Sequence, residues 1–218
     1  LPISDRTSPD SIKLGEWLFQ RRTLLPLPIA AAILLIPSGE TSRNIAAILG
    51  GIALTVAGEA LRLWGVGHIG VISRTRSDRL GPLVESGPFA HLRNPLYIGN
   101  IALWVGFAIT AGLLWLAPIV LVLLSFEYHV IVRWEEHLLE TRLGEAYRVY
   151  AARVPRWIPK IGGPTPVRHG SDMRRTPVLV PVPGSAPAVP WRETFFSERG
   201  TLMAIAAGYL LLWTKARF

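Results

Sequence analysis

Two apolar runs, 95–110 and 113–132, are separated only by Ala111-Gly112. A connection that short leaves the two segments one arrangement, side by side and antiparallel. A third run, 44–66, has the roughly 20 residues that cross a bilayer. It contains Gly50-Gly51 and Gly58, small residues that let helices approach closely. Half of the 218 residues are hydrophobic and only 17% are charged, against roughly 25% in an ordinary domain. The pattern predicts an all-α, integral membrane helical bundle. A soluble protein with a large core is the alternative.

Around these runs the chain divides into four parts. Residues 1–43 give an N-terminal interfacial segment, with Trp17 and Phe19, and a first span over Thr23–Ile36 that begins at Pro26 and Pro28. That span follows Arg21-Arg22 as a signal peptide would, but no small-x-small cleavage site follows it, so a retained span is expected. Residues 44–160 hold three spans and then an amphipathic helix over 133–152, interrupted near Gly144 and ended by Val154-Pro155 and Pro159. Residues 161–200 are a Pro/Gly-rich linker. Residues 201–218 form a C-terminal apolar helix, either a short fifth span or an interfacial one. The expectation is four to five transmembrane helices.

The net charge of +8 admits nucleic acid as a partner. The basic residues lie between apolar spans, however, and basic cytoplasmic loops account for them, so no nucleic acid is expected. The 36–44 loop has one arginine, the 67–94 connection has four, and 133–160 has six Lys or Arg. Both long polar stretches therefore face the cytoplasm, at an inner membrane, and a site shared between them opens on that side. With no cysteine in the chain, disulfides, thiolate metal sites and thiol nucleophiles are excluded.

The first polar stretch, 81–99, holds two Gly-Pro turns, Gly81-Pro82 and Gly87-Pro88. Pro95 suits the first turn of a helix and Asn94 its cap. Such a helix start offers backbone N–H groups to a polar ligand, or simply stops one helix and starts another. Arg93 snorkels to lipid phosphate or serves a site; Tyr97 is an interfacial belt residue or a ligand contact. His91 has no second ligand at metal spacing, and no metal is expected. In the second stretch Glu135 and Glu136 point about 100° apart on a helix, so only one can face a pocket. A carboxylate there suits a ligand bearing an amine. Glu59 and Arg62 stand one turn apart within a span and are placed to form an internal ion pair. No Rossmann fingerprint, P-loop or nucleophile motif is present.

Gly87-Pro88-Phe89-x-x-x-Arg93-Asn94-Pro95-x-Tyr97-x-Gly99, followed by Glu135-Glu136 with Gly144, Tyr147, Tyr150 and Val154-Pro155-Arg156, resembles the paired motifs of one family. It is the isoprenylcysteine carboxyl methyltransferase and phospholipid methyltransferase group of integral membrane enzymes. The likeness covers roughly residues 45–160. It implies S-adenosylmethionine as methyl donor, in contact with Gly81, Pro82, Leu83, Val84, Phe89, Asn94, Pro95, Leu96 and Tyr97, and with Glu135 at its amino group. Three positions depart from the pattern: Phe89 replaces a common Tyr, Asn94 stands where the prenylcysteine enzymes carry His, and Ile131 stands where they carry a substrate-binding arginine.

The resemblance implies methyl transfer to a lipophilic small molecule or lipid. A carboxylate acceptor needs no base, whereas an amine must lose a proton, for which Glu136 and His91 are the candidates. Arg93 or Arg133 is available in place of the missing arginine. The rival readings are a non-catalytic membrane module that binds lipid or a partner protein, and a transporter, which the lack of internal repeats weakens.

Overall fold

The computed structural model describes residues 9–38, 44–69, 83–159 and 191–217. They form seven α-helices: α1 (Pro9–Arg21), α2 (Leu27–Leu35), α3 (Ile45–Ile69), α4 (Pro95–Thr110), α5 (Leu116–Leu143), α6 (Glu145–Arg153) and α7 (Trp191–Lys215). A single 3-10 turn, Gly87–Ala90, precedes α4. No strand occurs among the described residues.

α3 begins where Asn44 Oδ1 accepts the backbone N–H groups of Ala46 and Ala47, at 3.0 and 3.2 Å, a side-chain N-cap. Gly51, Gly58 and Gly65 recur every seven residues, so they share one face. A Cβ at Gly58 would lie 2.7 Å from the Gly99 carbonyl oxygen, and one at Gly99 would lie 2.7 Å from that of Gly58. Gly51 meets Gly106 in the same way, and Gly65 meets Leu96. The pairing runs in opposite senses along the two helices, so α3 and α4 are antiparallel with their backbones in contact. Gly50 has open space around it.

The α4–α5 hairpin forms as the short connection requires, closed by Gly112 at φ 75° and by the Leu113 N–H on the Ala108 carbonyl at 3.0 Å. Its inner face is the main core, with Ala108, Leu113, Val120, Leu124 and Ile131 almost wholly buried. Leu212 of α7 and Ile33 of α2 join the same cluster. Lys215 donates to the Ile33 carbonyl at 2.6 Å, tying the end of α7 to α2.

By length and composition α3 and α5 can each cross a membrane, and α4 is a shorter apolar helix. Only 28% of the most apolar window of α3 and 39% of that of α5 is buried inside the protein. The remainder, including Leu49, Val56, Leu121, Val122 and Phe126, is an exposed apolar surface of the kind that lipid covers. The architecture is that of a helical membrane protein.

Three boundaries differ from the sequence expectation. The fourth span and the first half of the amphipathic segment are one helix, α5, whose 28 residues extend about 42 Å, well beyond a hydrocarbon core. The break comes at Gly144, φ 55°. The first span shrinks to the nine residues of α2, because 22–26 form turns ahead of Pro26 and Pro28; nine residues are too few to cross. The C-terminal helix starts at Trp191, ten residues before the expected boundary. The 161–200 linker lies largely outside the described residues.

Candidate functional site

The two motifs meet at one end of the bundle, where the close of α3, the start of α4 and the last third of α5 converge. Gly87 adopts φ 60° and presses against the His68 ring, leaving no room for a Cβ. This seats the 87–90 turn on the end of α3, with Phe89 buried beside Gly65.

The segment after α6 then straps the turn down. The Tyr150 hydroxyl donates to the Phe89 carbonyl at 2.9 Å. The Arg93 N–H donates to the Pro155 carbonyl at 2.9 Å, and Asn94 Nδ2 to the Arg156 carbonyl at 3.3 Å. Burial pushes the hydroxyls of Tyr147 and Tyr150 above the ordinary phenol range, so both remain protonated donors. Leu83 packs against the same tyrosine cluster.

At the centre of the strap is Glu136, with both oxygens held. Arg156 Nε donates to Oε1 at 3.0 Å and Nη2 reaches Oε2, while Arg93 Nη1 lies 2.9 Å from Oε1. Burial disfavours the charged form of Arg156, but the hydrogen bond and charge of Glu136 outweigh it and raise its pKa. The side chain of Glu136 is 3% exposed. Two hydrogen bonds from Arg156 and the neighbouring charge of Arg93 anchor this carboxylate between the turn and the strap. Its place is in the clamp.

Glu135 points elsewhere, as adjacent positions on a helix must. It is half-buried and accepts the Tyr97 hydroxyl at 3.0 Å. The Tyr97 ring lies against Tyr128, with centroids 4.7 Å apart. Pro95 is buried as the first residue of α4, but Asn94 makes no side-chain cap bond. Its amide serves the Arg156 carbonyl instead, which corrects the capping expectation and leaves the first turn of α4 without a side-chain acceptor.

The structure thus brings Phe89, Arg93, Asn94, Pro95, Leu96, Tyr97, Glu135 and Glu136 to one locality. Val84 is half-buried nearby. Gly81 and Pro82 lie outside the described residues. His91 is turned to α3, its ring 6.4 Å from that of Trp64. Ile131 is fully buried in the core. Among the described residues no three His, Cys, Asp or Glu side chains stand together as a metal site.

Deeper in the bundle, Arg62 Nε donates to Glu59 at 3.2 Å, as the sequence spacing predicted. Arg62 also bonds Asn100 of α4 and, at 2.8 Å, Glu198 of α7. Sequence reasoning did not find that second carboxylate. Between α3 and α7 lies a cavity of about 520 Å³, walled by Ile52, Val56, Leu63, Leu202 and Ile205 and reached by Glu59.

Residues 46–146 match the family model described as phospholipid methyltransferase. A stretch of 79 residues is 33% identical to the nickel-cobalt-cadmium resistance protein NccN of Alcaligenes xylosoxydans xylosoxydans, covering 36% of this chain and 37% of that protein. The chain therefore matches little more than a third of that relative's length. No solved structure matches. The segment that holds α4, α5 and nearly all of α3 is thus similar to the phospholipid methyltransferases, the family that the two motifs resemble, and this similarity points to methyl transfer on a lipid-type substrate.

Proposed function

We propose that the protein transfers a methyl group from S-adenosylmethionine to a lipophilic acceptor at the cytoplasmic face of a membrane, with residues 44–160 as the methyltransferase core. The observation that carries this reading is Glu135: a half-buried carboxylate whose hydrogen-bond partner is a neutral hydroxyl. It stands beside a helix start without a side-chain cap.

The cofactor's groups fit that donor set. An ammonium suits Glu135, polar oxygens suit the first-turn N–H groups of α4, and Phe89, Leu96 and Leu83 offer apolar wall to an aromatic base. Gly81, Pro82, Val84, Asn94, Pro95 and Tyr97 complete the contact set. S-adenosylmethionine, when bound, supplies a methyl group on an already activated sulfonium, so positioning provides most of the catalysis. The chain's part is to hold the two reactants in register. The Glu136 clamp fixes the 87–97 segment, and Tyr97 steadies the Glu135 carboxylate. The α3–α7 cavity supports a lipophilic acceptor entering sideways. The cytoplasmic assignment rests on the arginines, since 87–94 and 154–156 lie at the same end of the bundle.

Calorimetric titration of the detergent-purified protein with S-adenosylhomocysteine tests the reading, with Glu135→Gln beside it. Micromolar binding in the parent protein, weakened at least about tenfold in the variant by loss of a charged hydrogen bond, is the expected result. Equal affinity in both would remove Glu135 from the site. No binding to folded protein would turn the reading to a non-catalytic membrane module.

A further inference from the structure

The N-terminal helix lies outside the family-matched segment, yet it packs onto the helix that carries Glu135. At Gly15 it comes so close to α5 that an added Cβ would stand 2.5 Å from Trp134 Cβ and 2.8 Å from the Val130 carbonyl oxygen. One turn on, the Phe19 ring rests on Trp134, centroids 4.8 Å apart. Arg22 then folds back over Phe19. Its guanidinium carbon is 3.8 Å from the ring centroid, and Nη1 donates to the Phe19 carbonyl at 3.0 Å.

This places a half-buried guanidinium next to the neighbourhood of Trp134 and Glu135. Burial is the largest influence on the Glu135 carboxyl and raises its pKa to about 7, and the nearby charge of Arg22 opposes that rise. Among the described residues no ion pair joins Arg22 to Glu135, whose hydrogen-bond partner is Tyr97.

Other arginines near the site are engaged. Arg93 and Arg156 hold Glu136. Arg62 holds Glu59 and Glu198, and Arg153 pairs with Glu85. Arg22 has a ring face and a backbone carbonyl, which leave most of its donor fork for another acceptor.

An acid and a base held apart suit a ligand carrying both charges on adjacent groups. The amino-acid end of S-adenosylmethionine carries an ammonium and a carboxylate on one carbon. We propose that Arg22 binds the cofactor's carboxylate while Glu135 binds its ammonium, so that the N-terminal helix completes the site. The inference rests on the proposed use of S-adenosylmethionine.

The experiment is calorimetry on the full chain in detergent with two probes. S-adenosylhomocysteine carries both charges; its decarboxylated analogue keeps the amine and lacks the carboxylate. The parent protein is expected to bind the first about tenfold tighter or more, the effect of one charge-assisted hydrogen bond. Arg22→Met should remove that difference by weakening S-adenosylhomocysteine alone, and Arg22→Lys should restore part of it. Equal weakening of both probes in Arg22→Met would overturn the proposal, since Arg22 would then only hold α1 against α5. So would unchanged affinity for both. Should Arg22→Met fail to fold, the two-probe comparison on parent protein still decides, because equal affinities there leave the carboxylate without a partner. Parent protein that binds neither probe would defeat the cofactor reading as well, which separates that failure from the failure of Arg22 alone.

Discussion

The protein contains two ionic clusters of opposite construction. In the first, one cation, Arg62, holds two carboxylates, Glu59 and Glu198. In the second, one carboxylate, Glu136, holds two cations, Arg93 and Arg156. The first sits within the apolar length of α3 and joins α3, α4 and α7; the side chain of Arg62 is 11% exposed and that of Glu198 not at all. The second sits at the end of the bundle and joins a turn, α5 and the strap after α6, with the side chain of Arg156 26% exposed. Charges that water cannot reach must be balanced by their partners alone, whereas a partly wetted guanidinium can turn outward. The first cluster should therefore govern whether the helices assemble, and the second how well the site is shaped.

Removing the cation from the first cluster is the most damaging change. Arg62→Leu leaves Glu59 and Glu198 without their common guanidinium and should cost about 3–5 kcal/mol, the range for breaking a buried ion pair from one side. Thermal unfolding in detergent should show the loss. Replacing Glu59 and Glu198 with Leu in the same chain should recover much of it, since a whole buried cluster exchanged for apolar side chains is often neutral. A single variant that melts with the parent protein would mean that packing and the other α7 hydrogen bonds hold the helix without this cluster.

The second cluster should respond less, and differently. Glu136→Gln keeps the shape but leaves Arg93 and Arg156 facing each other, at about 1.5–3 kcal/mol for hydrogen bonds to a charged group. Affinity for S-adenosylhomocysteine should fall with it, because Arg93 adjoins the Asn94–Tyr97 segment. High salt should shrink the stability gap for Glu136→Gln more than that for Arg62→Leu, since Arg156 is more exposed than any charge of the first cluster and exposed charge is screened more than buried charge. Equal salt sensitivity would break the distinction between the clusters.

Local signals in the chain account for much of the fold. A two-residue gap forced the α4–α5 hairpin, and Gly51 and Gly58 marked the face on which α3 meets α4. The two motifs lie at the same end, as the arginine distribution required. What stayed hidden was long-range or continuous. The change from apolar to charged residues at Arg133 read as the end of a span, but a helix's backbone bonds do not stop where its side chains turn polar, and α5 runs on to Leu143. Glu198 lies 136 positions from Arg62, beyond any periodicity. Asn94 had the chemistry of a cap, but the Arg156 carbonyl took its amide. Arg156 was visible within the second motif, yet nothing local told of its bond to Glu136.

The smallest expected effect separates Glu135 from its neighbour. Tyr97→Phe removes one hydroxyl and leaves the ring to pack on Tyr128. A neutral donor lost to a half-buried carboxylate should cost about 1 kcal/mol of stability. If Glu135 itself holds the cofactor's ammonium, Tyr97 only steadies it, and affinity for S-adenosylhomocysteine should change by about threefold or less, below the tenfold of a charged hydrogen bond. The same titration that tests Glu135→Gln reads this out. A Tyr97→Phe variant as defective as Glu135→Gln would reverse the assignment. The hydroxyl would then be the group that meets the ligand, and the carboxylate, like Glu136 one position on, would serve to position another side chain.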